Sequence, residues 1–407
     1  MGALSHIRVL DLSRVLAAPW ATQILGDLGA EVIKIERPGE GDETRHFGPP
    51  FLEGADGTKA DATYFLAANR NKRSVAVDFA KPEGAALVKR LARRSHVVVE
   101  NFKTGALARY GLDERSLAAE NPALVYCSLT GFGHDGPRKD KAGYDYLIQG
   151  MGGLMSVTGQ PDGAPGGAPM KVGVAVSDLV SGLYMTIAIL AALLHQARTG
   201  EGQSIDMALF DCQAAALANQ ATNYLAGGML PTRLGNAHPN IVPYQVFAVG
   251  DGHLILAVAN DRQFASFARA AGVPELASDA RFQSNAARVA HRDILIALLE
   301  PILRARSLRD WIAALEAGNV PCGPINRIDQ VFADPQAIAR GLTVAMSHPD
   351  AGALKLVASP LRLSRTPPEY RRPPPRLGEH TAEVLREELA MSDAEIAALV
   401  SSGILQV

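Results

Sequence analysis

Short β-branched runs alternate with helical stretches through the first 210 residues, and this alternation restricts the possible folds more than any other feature of the chain. Ile7 to Leu12 reads as a strand, Pro19 to Leu28 as a helix and Glu31 to Glu36 as a strand. Ser74 to Phe79 follows, then the helix Pro82 to Arg94 and the strand Val97 to Phe102. Val125 to Leu129 and Ser204 to Met207 complete the set. Apolar strands separated by helices bury both faces, which predicts a parallel sheet with right-handed crossovers. The expected fold class is therefore α/β, with a Rossmann-like large domain over 1–225.

The pattern changes beyond residue 225. Tyr244 to Val249 and His253 to Val258 alternate around Gly250-Asp251-Gly252, a hairpin signal. Helical patterns follow over Asp261 to Ala271, Ala287 to Arg306 and Ser307 to Gly318, until Val320-Pro321-Cys322-Gly323-Pro324 breaks them. This predicts a small α+β domain over 226–325, and 407 residues are too many for one ordinary core. The remainder, 326–407, reads as a strand pair, a proline-rich link at Pro373 to Pro375 and a helix from Thr381, returning to the large domain. A last segment opens with the capping pair Ser392 and Glu395.

A formal net charge of −2 argues against a nucleic-acid partner, so any polyanionic ligand has to be held by a local basic cluster. Three widely spaced cysteines, Cys127, Cys212 and Cys322, read as reduced thiols. The apolar stretch Leu183 to Leu194 is shorter than the roughly 20 residues of a bilayer span and is expected to be a buried helix. The first residues run directly into a strand pattern. The expectation is a soluble, cytoplasmic protein with no membrane partner.

Several chemistries lack their motifs. After Leu12 the chain reads Ser13-Arg14-Val15-Leu16-Ala17-Ala18-Pro19, without the glycines of a dinucleotide fingerprint. No P-loop lysine motif and no G-x-S-x-G elbow is present. The ten histidines show no metal-ligand spacing, so no metal and no tightly bound cofactor is expected. Basic residues do gather near strand ends of the first domain, at Arg37, Arg70, Lys72, Arg73, Arg109, Arg138, Lys139 and Lys141. Such donors suit a phosphorylated ligand, although a solvated basic face has the same pattern. In Val172 to Tyr184 a short apolar run meets Ser177-Asp178 and then a long apolar helix. Asp178 there fits either an ordinary N-cap or a reactive carboxylate at a helix start.

Taken together, these segments resemble the class III CoA-transferases, the family of formyl-CoA transferase and carnitine CoA-transferase, which also contains α-methylacyl-CoA racemase. The likeness spans nearly the whole chain and rests on Leu28 to Pro38, Asn69 to Ser74, Val99 to Phe102, Ser177-Asp178 and Leu377 to Thr381. The resemblance implies Asp178 as the nucleophile of an aspartyl-CoA thioester, with acyl-CoA as substrate. It implies a CoA site formed by Val15, Arg37, Lys72, Asn101, Phe102, Arg109 and Lys141, and an interlocked homodimer. Backbone N–H groups at the start of the Asp178 helix are expected to stabilise the oxyanions.

Racemase members carry His-Asp where this chain has Tyr144 and Asp145. A phenol with a pKa near 10 is a poor base for an α-proton, which favours transfer over racemisation. Within the family, Asp42 to Arg45, Ala142 to Asp145, Gly235 to Gln245 and Val320 to Asn326 are similar to the transferases that use succinyl-CoA and glutarate. Formyl-CoA transferase has a glycine-rich loop where this chain has the proline-bounded His238 to Pro243, and a glutamine where it has Leu16; oxalate and formyl-CoA are therefore disfavoured. A dicarboxylate needs a cation for its distal end: Arg45 is the first candidate, with His46 and His238 behind it, and Tyr144 and Asp145 bordering the substrate.

Overall fold

The computed structural model of the chain describes residues 2–54, 57 and 59–407. The β-branched runs become β1 (Arg8–Asp11), β2 (Glu31–Glu36), β3 (Lys72–Val77), β4 (Val97–Glu100), β5 (Val125–Thr130) and β6 (Gln203–Ala208). All six lie parallel in the order β3-β2-β1-β4-β5-β6. Side chains alternate across this sheet, as strand geometry requires. Leu10, Ile33, Val75 and Val98 enter one core, with the helix Pro82–Arg93 and the C-terminal helices. Val9, Val32, Val97, Val99 and Cys127 enter the other, with α1 (Ala17–Asp27) and a long helix carrying Met185 and Ile189. Burial on both faces explains why these strands are nearly all apolar.

Two pairings were not readable from the sequence. Phe51–Glu53 pairs antiparallel with Lys59–Ala62, and the two-residue strand Leu405–Gln406 pairs antiparallel with β3. That last strand closes the free edge of β3 with residues from the far end of the sequence, and Ile404 O accepts the N–H of Asp78 at 2.8 Å.

The strand order reverses between β1 and β4. In sheets of this kind the crevice outside the carboxyl ends at such a reversal is the usual ligand position. Two further helices reach this end of the sheet. The first is α2 (Asp145–Met151) and the second is α3 (Val176–Thr199), which packs on α1. A Cβ on Gly182 would lie 2.6 Å from Ala17 O, so only glycine lets α3 approach the start of α1 so closely. The expectation of a buried helix is corrected here. Met185, Ile189 and Leu193 are buried, but Leu183, Ile187 and Leu194 are 50%, 62% and 67% exposed. By length and composition α3 could also cross a membrane.

The chain divides into two compact units. One comprises Met1–Leu154, Val172–Gly228 and Ile338–Val407; the other comprises Met155–Lys171 and Met229–Ala337. Met155–Lys171, which the sequence pattern places in the large domain, belongs to the second unit because the Gly235 N–H donates to Gly159 O and Arg233 to Gln160 O. The second unit contains an antiparallel sheet, β7 (Tyr244–Val249), β8 (Gly252–Ala257) and β9 (Cys322–Pro324). Its core surrounds Phe247, Phe264, Phe267, Leu299 and Trp311. The helix expected over Ala287 to Arg306 is broken at His291 into Asn285–Ala290 and Arg292–Arg304; His291 has non-helical ψ and its imidazole contacts Ala287 O.

Candidate active site

The loops after β1 and β4 are locked together at the reversal point. Asn101 Oδ1 accepts the Arg14 N–H at 2.9 Å, and its Nδ2 donates to Arg14 O at 2.7 Å. Val15 follows with φ +70°, a left-handed conformation costly for a β-branched residue. Its N–H points to the Asp42 carboxylate, 3.2 Å away, which in turn is held by Lys34 Nζ at 2.9 Å and the Thr44 N–H at 3.0 Å. The strained turn is thus fixed by a fully buried ion pair.

Two neighbouring cavities open beside these loops. The smaller, about 180 Å³, is lined by Val15, Leu16, Asn101, Phe102, Lys141, Tyr144 and Asp178. The larger, about 560 Å³, is lined by Arg37, His46, Phe47, Phe79 and Phe102. Arg14, Glu43 and Phe102 line both. The loop carrying Lys141 and Tyr144 is seated by a glycine pair, because a Cβ on Gly143 would fall 2.4 Å from the Gly131 Cα. Tyr144 is 69% exposed, at the mouth of the smaller cavity.

Asp178 is 9% exposed and its carboxylate makes no hydrogen bond among the described residues. It does not cap α3: the cap position is Ala175, and Asp178 is the third helical residue. The capping acceptor comes from another helix. Asp145 Oδ1 accepts the N–H groups of Ser177 at 2.8 Å and Asp178 at 3.3 Å, while its Oδ2 accepts from Gln149 at 2.7 Å. Burial, and secondarily the Asp145 charge, push the Asp178 carboxyl up to about 7. Two consequences follow for the expectations above. Asp145 braces Asp178 and raises its pKa. The N–H groups of Ser177 and Asp178 are already occupied and cannot serve an oxyanion.

Asp145→Asn therefore has a defined expected outcome. Asparagine keeps an oxygen for the two N–H groups but removes the negative charge, so ionisation of Asp178 becomes easier. The acid limb of the kcat/KM profile, expected near pH 7 in the parent, moves to lower pH by roughly one unit. Initial rates between pH 5 and 9 measure it; a limb that stays in place rejects the electrostatic link.

The remaining candidates separate clearly. Val15, Asn101, Phe102 and Lys141 line the Asp178 cavity, and Arg37 and His46 the larger one. Lys72 does not reach either surface. Its ammonium is fully buried, bonded to Asp11 at 3.1 Å, Pro19 O at 3.0 Å and Asn69 at 2.9 Å. Arg45 is likewise committed. It forms two bonds to Glu36, at 2.8 and 2.7 Å, a third to Asp61, and lies 3.7 Å over the Phe65 ring, so it offers no free edge to a substrate carboxylate. Arg109 is exposed over Tyr110 and lines neither cavity. His238 lies in the second unit, where Nδ1 accepts the Asn240 N–H and the ring meets Tyr244. The loop that holds it is pinned by Arg292 to the His238 and Pro239 carbonyls and by Arg288 to Val242 O. No cluster of metal-binding side chains occurs among the described residues.

Sequence reasoning missed Arg14, Glu43, Phe47, Phe79 and Tyr64. Burial raises the Tyr64 phenol pKa, and the charges of Asp178, Asp145 and Asp42 add to the rise. Arg14 was detectable, being the second residue after Leu12 at the end of a strand, but the reversal point is defined only once the strand order is known.

Comparison with known proteins bears directly on this site. The family model described as CoA-transferase family III matches residues 4–381. A protein of Agrobacterium fabrum named succinate–glutarate CoA-transferase is 54% identical over 94% of this chain and 95% of its own length. A human succinyl-CoA:glutarate CoA-transferase is 42% identical over 99% of this chain and 90% of its own. Among solved structures, a CaiB/BaiF family protein from Brucella suis superposes with a TM-score of 0.83 at 50% identity, covering 95% of this chain and 99% of that one. A family match over residues 4–381 and relatives of this identity and extent make the chain, with its buried aspartate beside the sheet reversal, an enzyme of CoA-transferase family III.

Proposed function

We propose that this enzyme moves CoA from succinyl-CoA to a dicarboxylic acid such as glutarate, through a thioester on Asp178. The observation that carries the reading is the Asp178 carboxylate itself: buried, without a hydrogen bond among the described residues, and lining a small cleft that adjoins a larger cavity. The larger space suits the nucleotide end of CoA, with Arg37 at its edge and Phe79 and Phe102 as apolar walls. The names of the similar proteins from Agrobacterium fabrum and human supply the acid pair. The pinned His238–Pro243 loop fits acids other than oxalate, since it lacks the freedom of a glycine-rich one.

The steps balance as two exchanges. Asp178 attacks the donor acyl carbon; its C–S bond breaks, leaving a mixed anhydride and CoA thiolate. The thiolate attacks the Asp178 carbonyl carbon, the anhydride C–O bond breaks, and the donor acid leaves. The acceptor carboxylate and the same thiolate then reverse these two displacements and restore the aspartate. Each passes through an oxyanion. The N–H groups of Leu16 and Ala17 are suited to hold it: they make no hydrogen bond among the described residues, no side chain caps α1, and both residues line the Asp178 cleft.

The exposed apolar face of α3 and the exposed Tyr224, Leu225 and Leu230 support an interlocked homodimer, in which a second copy covers them. The free thiols of Cys127, Cys212 and Cys322 suit a reducing, cytoplasmic setting. An acceptor panel assayed with succinyl-CoA tests the function. Glutarate is expected to turn over well and formate and oxalate poorly, with no deuterium incorporated at the α-carbon from labelled water. Exchange of the α-proton without an acceptor acid would point to a racemase instead.

A further inference from the structure

Arg14, Glu43 and Phe102 are common to both cavities, so whatever Arg14 binds lies at their junction. The root of Arg14 is immobile, clamped on both sides of its peptide by Asn101. Its guanidinium rests 4.7 Å over the Phe102 ring. Its tip is less committed. Among the described residues the only side-chain hydrogen bond runs from Nη1 to Glu43, and the two side chains are 41% and 44% exposed. Half-exposed pairs of this kind are weak and easily exchanged. Among the described residues, Nε of Arg14 and Oε2 of Glu43 are buried and have no hydrogen-bond partner.

When Glu43 is displaced, Nη1 is freed beside Nη2, which makes no hydrogen bond among the described residues, so the outer end of the guanidinium is the edge open to a ligand. That edge presents two parallel N–H donors, the geometry that grips the two oxygens of a carboxylate. Arg14 lines the same cleft of about 180 Å³ as Asp178, a volume suited to a four- or five-carbon acid and too small for a nucleotide. The other cations there, Lys103, Lys139 and Lys141, are exposed and carry no comparable fork. Arg45 is taken by Glu36 and Asp61. We propose that Arg14 recognises the distal carboxylate of the dicarboxylic acid, with Glu43 as the counter-ion that the substrate displaces. This rests on the reading of Asp178 as the site of CoA transfer.

The test compares glutarate with valerate, which has the same chain length and no distal charge, and uses free CoA as a control ligand. In Arg14→Gln the KM for glutarate rises about 30-fold or more, and the preference for glutarate over valerate is lost. The inhibition constant of free CoA rises much less than the glutarate KM, because the larger cavity keeps Arg37 for the CoA phosphates. Arg14→Lys keeps a charge without the fork and falls between, which covers the case of a poorly folded glutamine variant. Glu43→Gln removes the competitor and lowers the glutarate KM several-fold. An unchanged glutarate KM in Arg14→Gln, or CoA inhibition weakened as much as glutarate binding, overturns the proposal. Hydroxylamine trapping on Asp178 is read in the same variants: trapping retained with altered acid preference separates this outcome from a failure of the Asp178 mechanism.

Discussion

Asp178→Asn is expected to lose turnover by roughly 10⁴-fold or more, and to gain stability at alkaline pH while doing so. The loss follows from the chemistry, since an amide cannot accept and release CoA in the exchange. In the parent, succinyl-CoA and hydroxylamine together should leave a hydroxamate on residue 178, visible by mass spectrometry; the variant should show none. The gain follows from linkage. Asp178 has an ordinary value of 3.8 when unfolded and is raised to about 7 in the fold, so the fold prefers its protonated form. That preference stabilises the protein fully below about pH 4 and is lost as pH rises through 7. Above pH 7 the buried charge costs on the order of 4 kcal/mol, a cost absent from asparagine. The variant should therefore melt several degrees above the parent at pH 8, with the gap narrowing at pH 5. Equal melting temperatures at pH 8 would show that the carboxylate is solvated, and persistent turnover would reject its role as nucleophile.

Lys72→Met carries the largest expected loss of stability, about 3–5 kcal/mol. Lys72 and Asp11 both have fully buried side chains. Burial outweighs the attraction of Asp11 and pulls the Lys72 ammonium down to about 8, which leaves it charged at neutral pH. Deleting it leaves the buried Asp11 carboxylate with the Ser13 N–H and hydroxyl, the Thr22 hydroxyl and the more distant charge of Lys34. Urea unfolding reads this directly. The KM for acyl-CoA of the material that folds should stay near that of the parent. A large KM increase with little loss of stability would mean that Lys72 touches CoA after all.

Lys72 and Arg45 show where a sequence stops being informative. Both are basic residues near strand ends, where a ligand-binding cation is expected. Their partners, Asp11 for one and Glu36 and Asp61 for the other, are brought to them by strand pairing, that of Phe51–Glu53 with Lys59–Ala62 included. Nothing local in the chain distinguishes a cation that faces a ligand from one that neutralises a buried acid. The strands were legible because burial on both faces leaves continuous β-branched runs, whereas the pattern around Asp178 fits an ordinary N-cap as well and its reading as a nucleophile came from the family resemblance. The brace from Asp145 was not legible, since it depends on the meeting of two helices whose contacting residues lie 32 positions apart in the chain. Leu405–Gln406 is too short to carry any periodicity.

The pairing of Leu405–Gln406 with β3 also sets a timetable for biosynthesis. On the ribosome, β3 emerges early, and its Ala76–Val77 edge keeps open N–H and C=O groups until Leu405–Gln406 has been translated. During that interval the nascent sheet is open to pairing with other chains, the hazard of any unprotected edge. Holding by a chaperone, or a pause in which the incomplete domain stays loosely collapsed, is the corresponding requirement for a high yield of native enzyme.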